Sequence, residues 1–269
     1  MELFVAVWAV VGALVGSFLN VVIVRLATNE SVVRGRSHCR SCKRTLSAFE
    51  LIPIVSFVFL RGRCRSCGVP IGARYPIVEA VTALLFGFVA FRFWSADFGS
   101  VEAILMVFVL SFVAGLVVIF AYDMHHYLIP DKVLVPLIFL ALIYQLALGF
   151  GGSLSGGLIL SPLLGAFGAA LAGGLFFLVL FLISKGEWMG FGDVKLVVFM
   201  GLLLGLPGLL LALFFAFVSG AIIGIALMAW GRKNLGDHVP FAPFLICGIF
   251  VSFFWGPPII AWYLRFVLA

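Results

Sequence analysis

The sequence predicts an all-α polytopic membrane protein, with about eight transmembrane helices and a small cytoplasmic zinc-binding loop domain. Three observations carry that prediction. The first is composition: of 269 residues, 64% are hydrophobic and only 10% charged, whereas soluble domains carry about 25% charged residues. So few charges cannot cover the surface of a water-soluble globule of this size. The second is that the apolar residues come in runs of about 20, the length that crosses a hydrocarbon core. In lipid such runs must be helices, because a helix satisfies its own backbone polar groups. The third is a single polar loop, residues 26–75, that holds four of the five cysteines.

The spans read as roughly 3–24, 76–94, 101–122, 133–150, 157–184, 194–206, 208–230 and 243–266, with Pro207-Gly208 as a tight turn between the short sixth and the seventh. The basic residues orient them. Ten lie between the first two spans, from Arg25 to Arg74, which makes that loop cytoplasmic by the positive-inside rule. Alternation then puts Lys132, Lys185, Lys195, Arg232 and Lys233 on the same side, leaving only Arg92 and Arg265 opposite. Eight spans with both termini outside satisfy this pattern; seven or nine do not. Met1-Glu2 provides no basic n-region, and the apolar stretch from Leu3 to Val24 is too long for a cleavable signal. It reads as a retained first span. The net charge of +6 sits beside apolar spans, where anionic headgroups and topology account for it. With no basic–aromatic stripe, nucleic acid is not expected as a partner; the lipid bilayer is.

Small residues recur four apart at Gly12/Gly16, Gly165/Ala169 and Gly220/Gly224, a spacing that lets helices pack closely. Residues 149–157, GFGGSLSGG, read as a flexible outside loop. The chain thus divides into a first span (1–25), the cytoplasmic four-cysteine loop (26–75) and a seven-span membrane core (76–269).

In the loop, Cys39-x-x-Cys42 and Cys64-x-x-Cys67 form two pairs. Each pair presents two thiolates from one turn, and two turns complete a tetrahedral zinc site. Redox thiols or an empty site are the alternatives. A polar loop of this size buries little core, so a metal would supply its folding energy. Four thiolates leave no open position for a zinc-bound water. Cys247 lies in the last span and reads as a buried apolar residue.

Only eleven acidic residues exist. Glu2, Asp97 and Glu102 read as solvated flanking charges on the outside face, and Glu30 and Glu50 as surface residues of the loop. Asp131 reads as a cap of the fourth span, and Asp237 as solvated. Glu79 falls in the first turn of the second span, where a helix N-terminus favours a carboxylate; packing against a basic neighbour or contacting a substrate both account for it. Asp123 ends the third span and Asp193 opens the sixth, at helix ends on the cytoplasmic side. Carboxylates at such depth are expensive and functional. Two that meet in a partly dry site form an aspartyl dyad, one group acting on water and the other on the carbonyl oxygen. Gly190 and Gly192 would let the backbone bend or a strand approach closely. Lys195 either marks the boundary or pairs with Asp193. The same acids would serve a proton-coupled transporter, although no internal inverted repeat is evident. A non-catalytic zinc scaffold is the third reading.

The order of motifs separates these readings. Gly16-Ser17-Phe18-Leu19-Asn20-Val21-Val22 with Arg25-Leu26, the cysteine pairs, and Ala73-Arg74-Tyr75-Pro76-Ile77-Val78-Glu79 resemble bacterial type IV prepilin peptidases. So do the stretch from Asp123 to Asp131, Gly190-Phe191-Gly192-Asp193-Val194-Lys195-Leu196, and Val239-Pro240-Phe241-Ala242-Pro243-Phe244. The resemblance runs through nearly the whole chain. It implies a GxGD-type membrane aspartyl protease with Asp123 and Asp193 as the dyad, supported by Gly190, Gly192, Lys195 and Glu79. It further implies removal of the basic leader from prepilins or pseudopilins, and N-methylation of the new terminus with S-adenosylmethionine. The four cysteines, Cys39, Cys42, Cys64 and Cys67, match the family's zinc loop, associated with the methyltransferase region. The sequence departs from the family pattern in places: His125 stands where many members have a second Asp, and in the methyltransferase region Lys43 replaces a glycine that often follows the first pair, Phe49-Glu50-Leu51 stands where Trp-Glu-Asn is common, and the loop before Cys39 is short.

Overall fold

A computed structural model describes residues 1–28, 30–32, 34–95, 98–154, 160–231 and 239–268, with the backbone alone at 150–154, 160–162 and 268. Asp97, Arg232, Lys233, Asp237 and His238 lie outside the described residues. The described residues form eight α-helices, in order α1 (Glu2–Thr28), the short α2 (Val55–Phe59), α3 (Arg74–Phe93), α4 (Ser100–His126), α5 (Asp131–Leu154), α6 (Leu160–Ile183), α7 (Phe191–Ala229) and α8 (Ala242–Leu268). All but α2 are long and apolar enough to cross a membrane, seven in number. The described residues form no strand beyond two isolated bridges, His38 with Thr45 and Arg63 with Pro70. Helix α5 continues to Leu154, so the expected loop over 149–157 is helical in its first part.

Helix α7 accounts for two of the expected spans. It has 39 residues and one non-helical residue, Gly205, at φ +66 and ψ 177. A methyl group placed on Gly173 of α6 would lie 2.7 Å from Leu209 Cδ2 and 3.0 Å from Val197 Cγ1. In a straight helix those two residues are about 18 Å apart along the axis. The chain therefore turns back on itself at Gly205, and the 39 residues make two packed arms. The order of contacts agrees. A methyl at Gly201 would strike Ala170, so the first arm runs antiparallel to α6, whereas Phe217 of the second arm pairs with Phe177. The left-handed φ at Gly205 makes glycine the natural residue there, and Pro207 removes a backbone donor just after it. The Leu202 carbonyl, released by the break, accepts from Gln145 of α5 at 2.6 Å, and Ser252 of α8 ties the start of the second arm by donating to the Gly208 carbonyl at 2.7 Å. Neither partner stood out in the sequence.

The chain divides into two compact units, Met1–Ala121 and Tyr122–Ala269. In the first, α1 and α3 pack closely through Gly12 and Gly16. A methyl at Gly12 would lie 2.6 Å from Phe86 Cβ, and one at Gly16 2.8 Å from Glu79 Cα. The other small-residue pairs behave differently. Gly165 and Gly224 face nothing within 4 Å among the described residues, so among these the first pair alone makes a tight two-helix contact along both its residues. Asn20 of α1 ties the start of α3 by donating to the Tyr75 carbonyl at 3.0 Å. In the second unit, the core is built from Phe177, Leu196, Phe199, Met200 and Leu245, all fully buried.

Candidate active site and four-cysteine centre

Asp123 occupies the last turn of α4. Tyr127 ends that helix at φ +55 and returns its N–H to the Asp123 carbonyl at 2.9 Å. Pro130 then opens α5, its carbonyl accepting from Val133 and Leu134. The Asp123 side chain is only 4% exposed and faces the backbone N–H of Ala242, the first residue of α8. Its Oδ2 is buried and has no hydrogen-bond partner among the described residues. Buried polar atoms almost always have one, so an orphan calls for a reason.

Asp193 is the third residue of α7 and is 8% exposed. Its Oδ2 accepts the Gly190 N–H at 3.1 Å, and its own N–H donates to the Gly190 carbonyl at the same distance. This reciprocal cap fixes the carboxylate over its own helix N-terminus, where unsatisfied N–H groups favour it. Asp193 also lies within Coulombic range of Asp123. Both carboxyl groups are thus buried, each facing the N-terminal N–H groups of a helix and within electrostatic range of the other; one is fixed by the backbone, and the other has an oxygen without a partner among the described residues.

The two glycines before Asp193 differ. Gly190 has an ordinary φ of −78. Gly192 is required by packing, since a methyl there would lie 2.9 Å from Ile129 Cβ. Lys195 does not pair with Asp193: it donates to both oxygens of Asp131 at 2.8 Å and sits 5.0 Å from the centre of the Phe191 ring.

In the first unit, the four cysteine sulfurs lie within 4.8 Å of one another, and Cys39 and Cys67 are 3.8 Å apart. A tetrahedral zinc–thiolate site with bonds of about 2.3 Å requires sulfurs about 3.8 Å apart, so the cluster has the dimensions to hold a metal. Each pair rides on a small knuckle of the same design. Cys39 N–H donates to the Arg44 carbonyl and Lys43 N–H to that of Cys39; likewise Cys64 N–H donates to Val69 and Gly68 N–H to Cys64. Lys43 and Gly68 occupy equivalent positions, at φ +57 and +68, which explains why glycine suits that position. The N–H groups of Cys67 and Ser66 bring the Cys64 thiol down to about 6, and those of Cys42 and Ser41 lower Cys39. Cys42 has the Arg44 N–H to lower it, but desolvation and the neighbouring sulfurs drive it up to about 11. Held this close, the four sulfurs could all be thiolates only with a cation among them.

Glu50, expected at the surface, is tied down. Ser47 donates to it through both its N–H and its hydroxyl at 2.9 Å, and Arg44 forms an ion pair with it. The Ser47 N–H and the Arg44 guanidinium hold the Glu50 carboxyl at about 2. Glu79 falls in the second turn of α3, not the first, because α3 starts at Arg74. Its buried carboxyl pairs with no basic side chain among the described residues; it accepts the Ile54 N–H at 2.7 Å and bonds Ser17. Arg25 does more than mark the membrane boundary. Its guanidinium donates to the carbonyls of Ser31, Val32, Arg34 and Gly35 and so folds the start of the loop. A cavity of about 710 Å³ opens in this unit, lined by Asn20, Arg36, His38, Cys64 and Glu79 among others.

The helices and these groups define a multi-pass membrane protein with a buried aspartate pair in one unit and a metal-sized four-thiol cluster in the other. The chain belongs to the type IV leader peptidase family. Its residues 10–93 match the bacterial peptidase A24 N-terminal domain, and residues 110–225 the type IV leader peptidase family. It is 35% identical to the prepilin leader peptidase/N-methyltransferase of Bacillus subtilis over 261 residues, 96% of each chain. It is 33% identical to the protein of that name from Aeromonas hydrophila, over 93% of this chain and 90% of the relative. With that of Myxococcus xanthus it shares 37% identity over 86% of this chain and 66% of the relative. No solved structure matches the chain significantly.

Proposed function

We propose that this protein cleaves the basic leader from type IV prepilins or pseudopilins at the cytoplasmic face of the bacterial inner membrane, using Asp123 and Asp193, and methylates the new N-terminus. The observation that carries the peptidase reading is the orphaned Asp123 Oδ2, buried within Coulombic range of Asp193. An oxygen with no partner among the described residues is available to take a hydrogen bond from a water molecule. The two groups share a single proton, the condition under which paired aspartates work. One carboxylate removes a proton from the water as its oxygen attacks the scissile carbonyl carbon. The other donates its proton to the carbonyl oxygen. Collapse of the tetrahedral species breaks the C–N bond, and the leaving amine takes up a proton. No covalent enzyme intermediate forms. Gly190 holds Asp193 in position throughout through its N–H.

Zinc is the metal the four cysteines suit, as a closed structural site in which Cys39, Cys42, Cys64 and Cys67 fix the two knuckles. S-adenosylmethionine supplies the methyl group when bound. The cavity beside Glu79 has a volume typical of small-molecule sites, about 300–1,000 Å³, and its Asn20, Arg36 and Glu79 offer donors and an acceptor to a polar ligand. The division of labour places methylation with residues 26–75 and peptidase chemistry with 76–269. Both termini lie on the side opposite the loop.

The test is cleavage of a prepilin by the full-length protein in lipid, read by mass spectrometry. Asp123→Asn and Asp193→Asn are each expected to lower the cleavage rate by about 1,000-fold or more, and the wild-type product to carry one added methyl group. Full cleavage by either variant would refute the dyad.

A further inference from the structure

Residues 49–59 present large apolar side chains that no described residue of their unit covers. Phe49 is 80% and Phe59 83% exposed, and Leu51, Ile52, Val55 and Val58 are exposed as well. The segment lies in the loop between α1 and α3 that the sequence marks as polar. Six such side chains on one short stretch make a patch that soluble surfaces avoid.

Its depth is fixed by Glu79. That carboxylate accepts the Ile54 N–H at 2.7 Å and bonds Ser17 of α1. Ser17 precedes Arg25 by eight residues, about 12 Å along a helix. The turn at Pro53-Ile54 is therefore pinned beside the transmembrane part of the α1–α3 pair, well below the end of α1 and not above it. Ile54, whose N–H makes this bond, sits at φ +60, a conformation that β-branched residues resist, and the neighbouring Pro53 is buried. The connecting segment cannot stand off in water while its middle is held at that level. Arg61, Arg63 and Arg65 follow directly and are exposed, as a basic rim facing anionic headgroups requires.

We infer that residues 49–59 form an interfacial anchor, whose apolar side chains enter the bilayer leaflet from which the loop emerges while the arginines behind contact anionic headgroups. The four-cysteine centre is then held against the membrane surface. This depends on the membrane spans and not on the peptidase reading.

The full-length protein is placed at one copy per nanodisc containing phosphatidylcholine and phosphatidylglycerol. A fluorescent amino acid replaces Phe59 and, as a control, the exposed Ser66 in the second knuckle. Bound zinc is measured in both to verify that the loop is folded. Nitroxide lipid labelled near the headgroup is expected to quench the probe at 59 by about half or more, while aqueous iodide quenches only the probe at 66, as for a side chain seated at the acyl boundary. Equal iodide quenching at the two positions overturns the inference. So does shielding at 59 that develops only on adding prepilin, which makes the patch a substrate face, or only with two copies per disc, which makes it a self-association face.

Discussion

Lys195 and Asp131 form a two-point ion pair, with both Asp131 oxygens 2.8 Å from the ammonium. Lys195 lies two residues beyond Asp193 on the same helix, so the nearest cation in sequence is held by another carboxylate. In the proposed Asp123–Asp193 dyad, which shares a proton, an uncommitted positive charge would favour the doubly ionised form. Asp131→Asn is expected to lower cleavage about tenfold by releasing Lys195. Because the pair is partly exposed, its loss is worth under about 1 kcal/mol of stability. Lys195→Met in the same chain is expected to restore part of the rate. Parallel cleavage rates and thermal unfolding of the single and double variants check this.

Gly192 meets Ile129 where the start of α7 passes the turn after α4. Gly192→Ala is expected to displace Asp193 and lower cleavage about 100-fold, the scale of a misplacement near 1 Å, with an overpacking cost of about 1–3 kcal/mol. Zinc binding in the other unit should not change. Ile129→Ala in the same chain opens the space and is expected to recover activity; no recovery would show that the glycine serves the backbone and not the contact.

The first knuckle carries a strain that the second does not. Lys43 holds φ +57 where the second knuckle has Gly68. A left-handed conformation disfavours side-chain-bearing residues by about 1–2 kcal/mol, partly offset by the greater entropy that glycine loses on folding. Lys43→Gly is expected to stabilise the centre by about 0.5–1 kcal/mol and to slow zinc loss to a chelator. Gly68→Ala should speed it, through backbone strain alone, because a methyl there meets no described residue within 4 Å.

The Glu50 carboxyl lies at about 2, below its ordinary 4.5. A group whose folded value is depressed contributes stability that is fully present above its unfolded value and fades as pH falls through the folded one. The advantage of the wild type over Glu50→Gln is therefore expected to be constant above about pH 4.5 and to shrink between 4.5 and 2. Unfolding of both proteins across that range, at matched zinc content, measures it. A gap that stays constant to pH 2 would assign the Glu50 contribution to shape and not to charge.

Features that depend on composition over a short window were legible without coordinates. The spans announce themselves because each must be apolar along its whole length. The cysteine pairs do so because each knuckle is built from neighbours, and the two aspartates because a carboxylate stands out in an apolar stretch. Even the reversal in α7 left a trace in Pro207-Gly208, although the turn falls at Gly205, where a left-handed residue is needed.

Partners distant in the chain were decided only by tertiary structure. Asp123 facing the N–H of Ala242, Lys195 committed to Asp131, Gln145 reaching the Leu202 carbonyl and Glu79 holding Ile54 each join elements with no local relation. Composition states that a polar group must be satisfied when buried, but not by which group. The same gap hid the loop's character: its charges read as polar, while its exposed Phe49 and Phe59 and the depth at which Glu79 pins it appear only once α1 and α3 are packed.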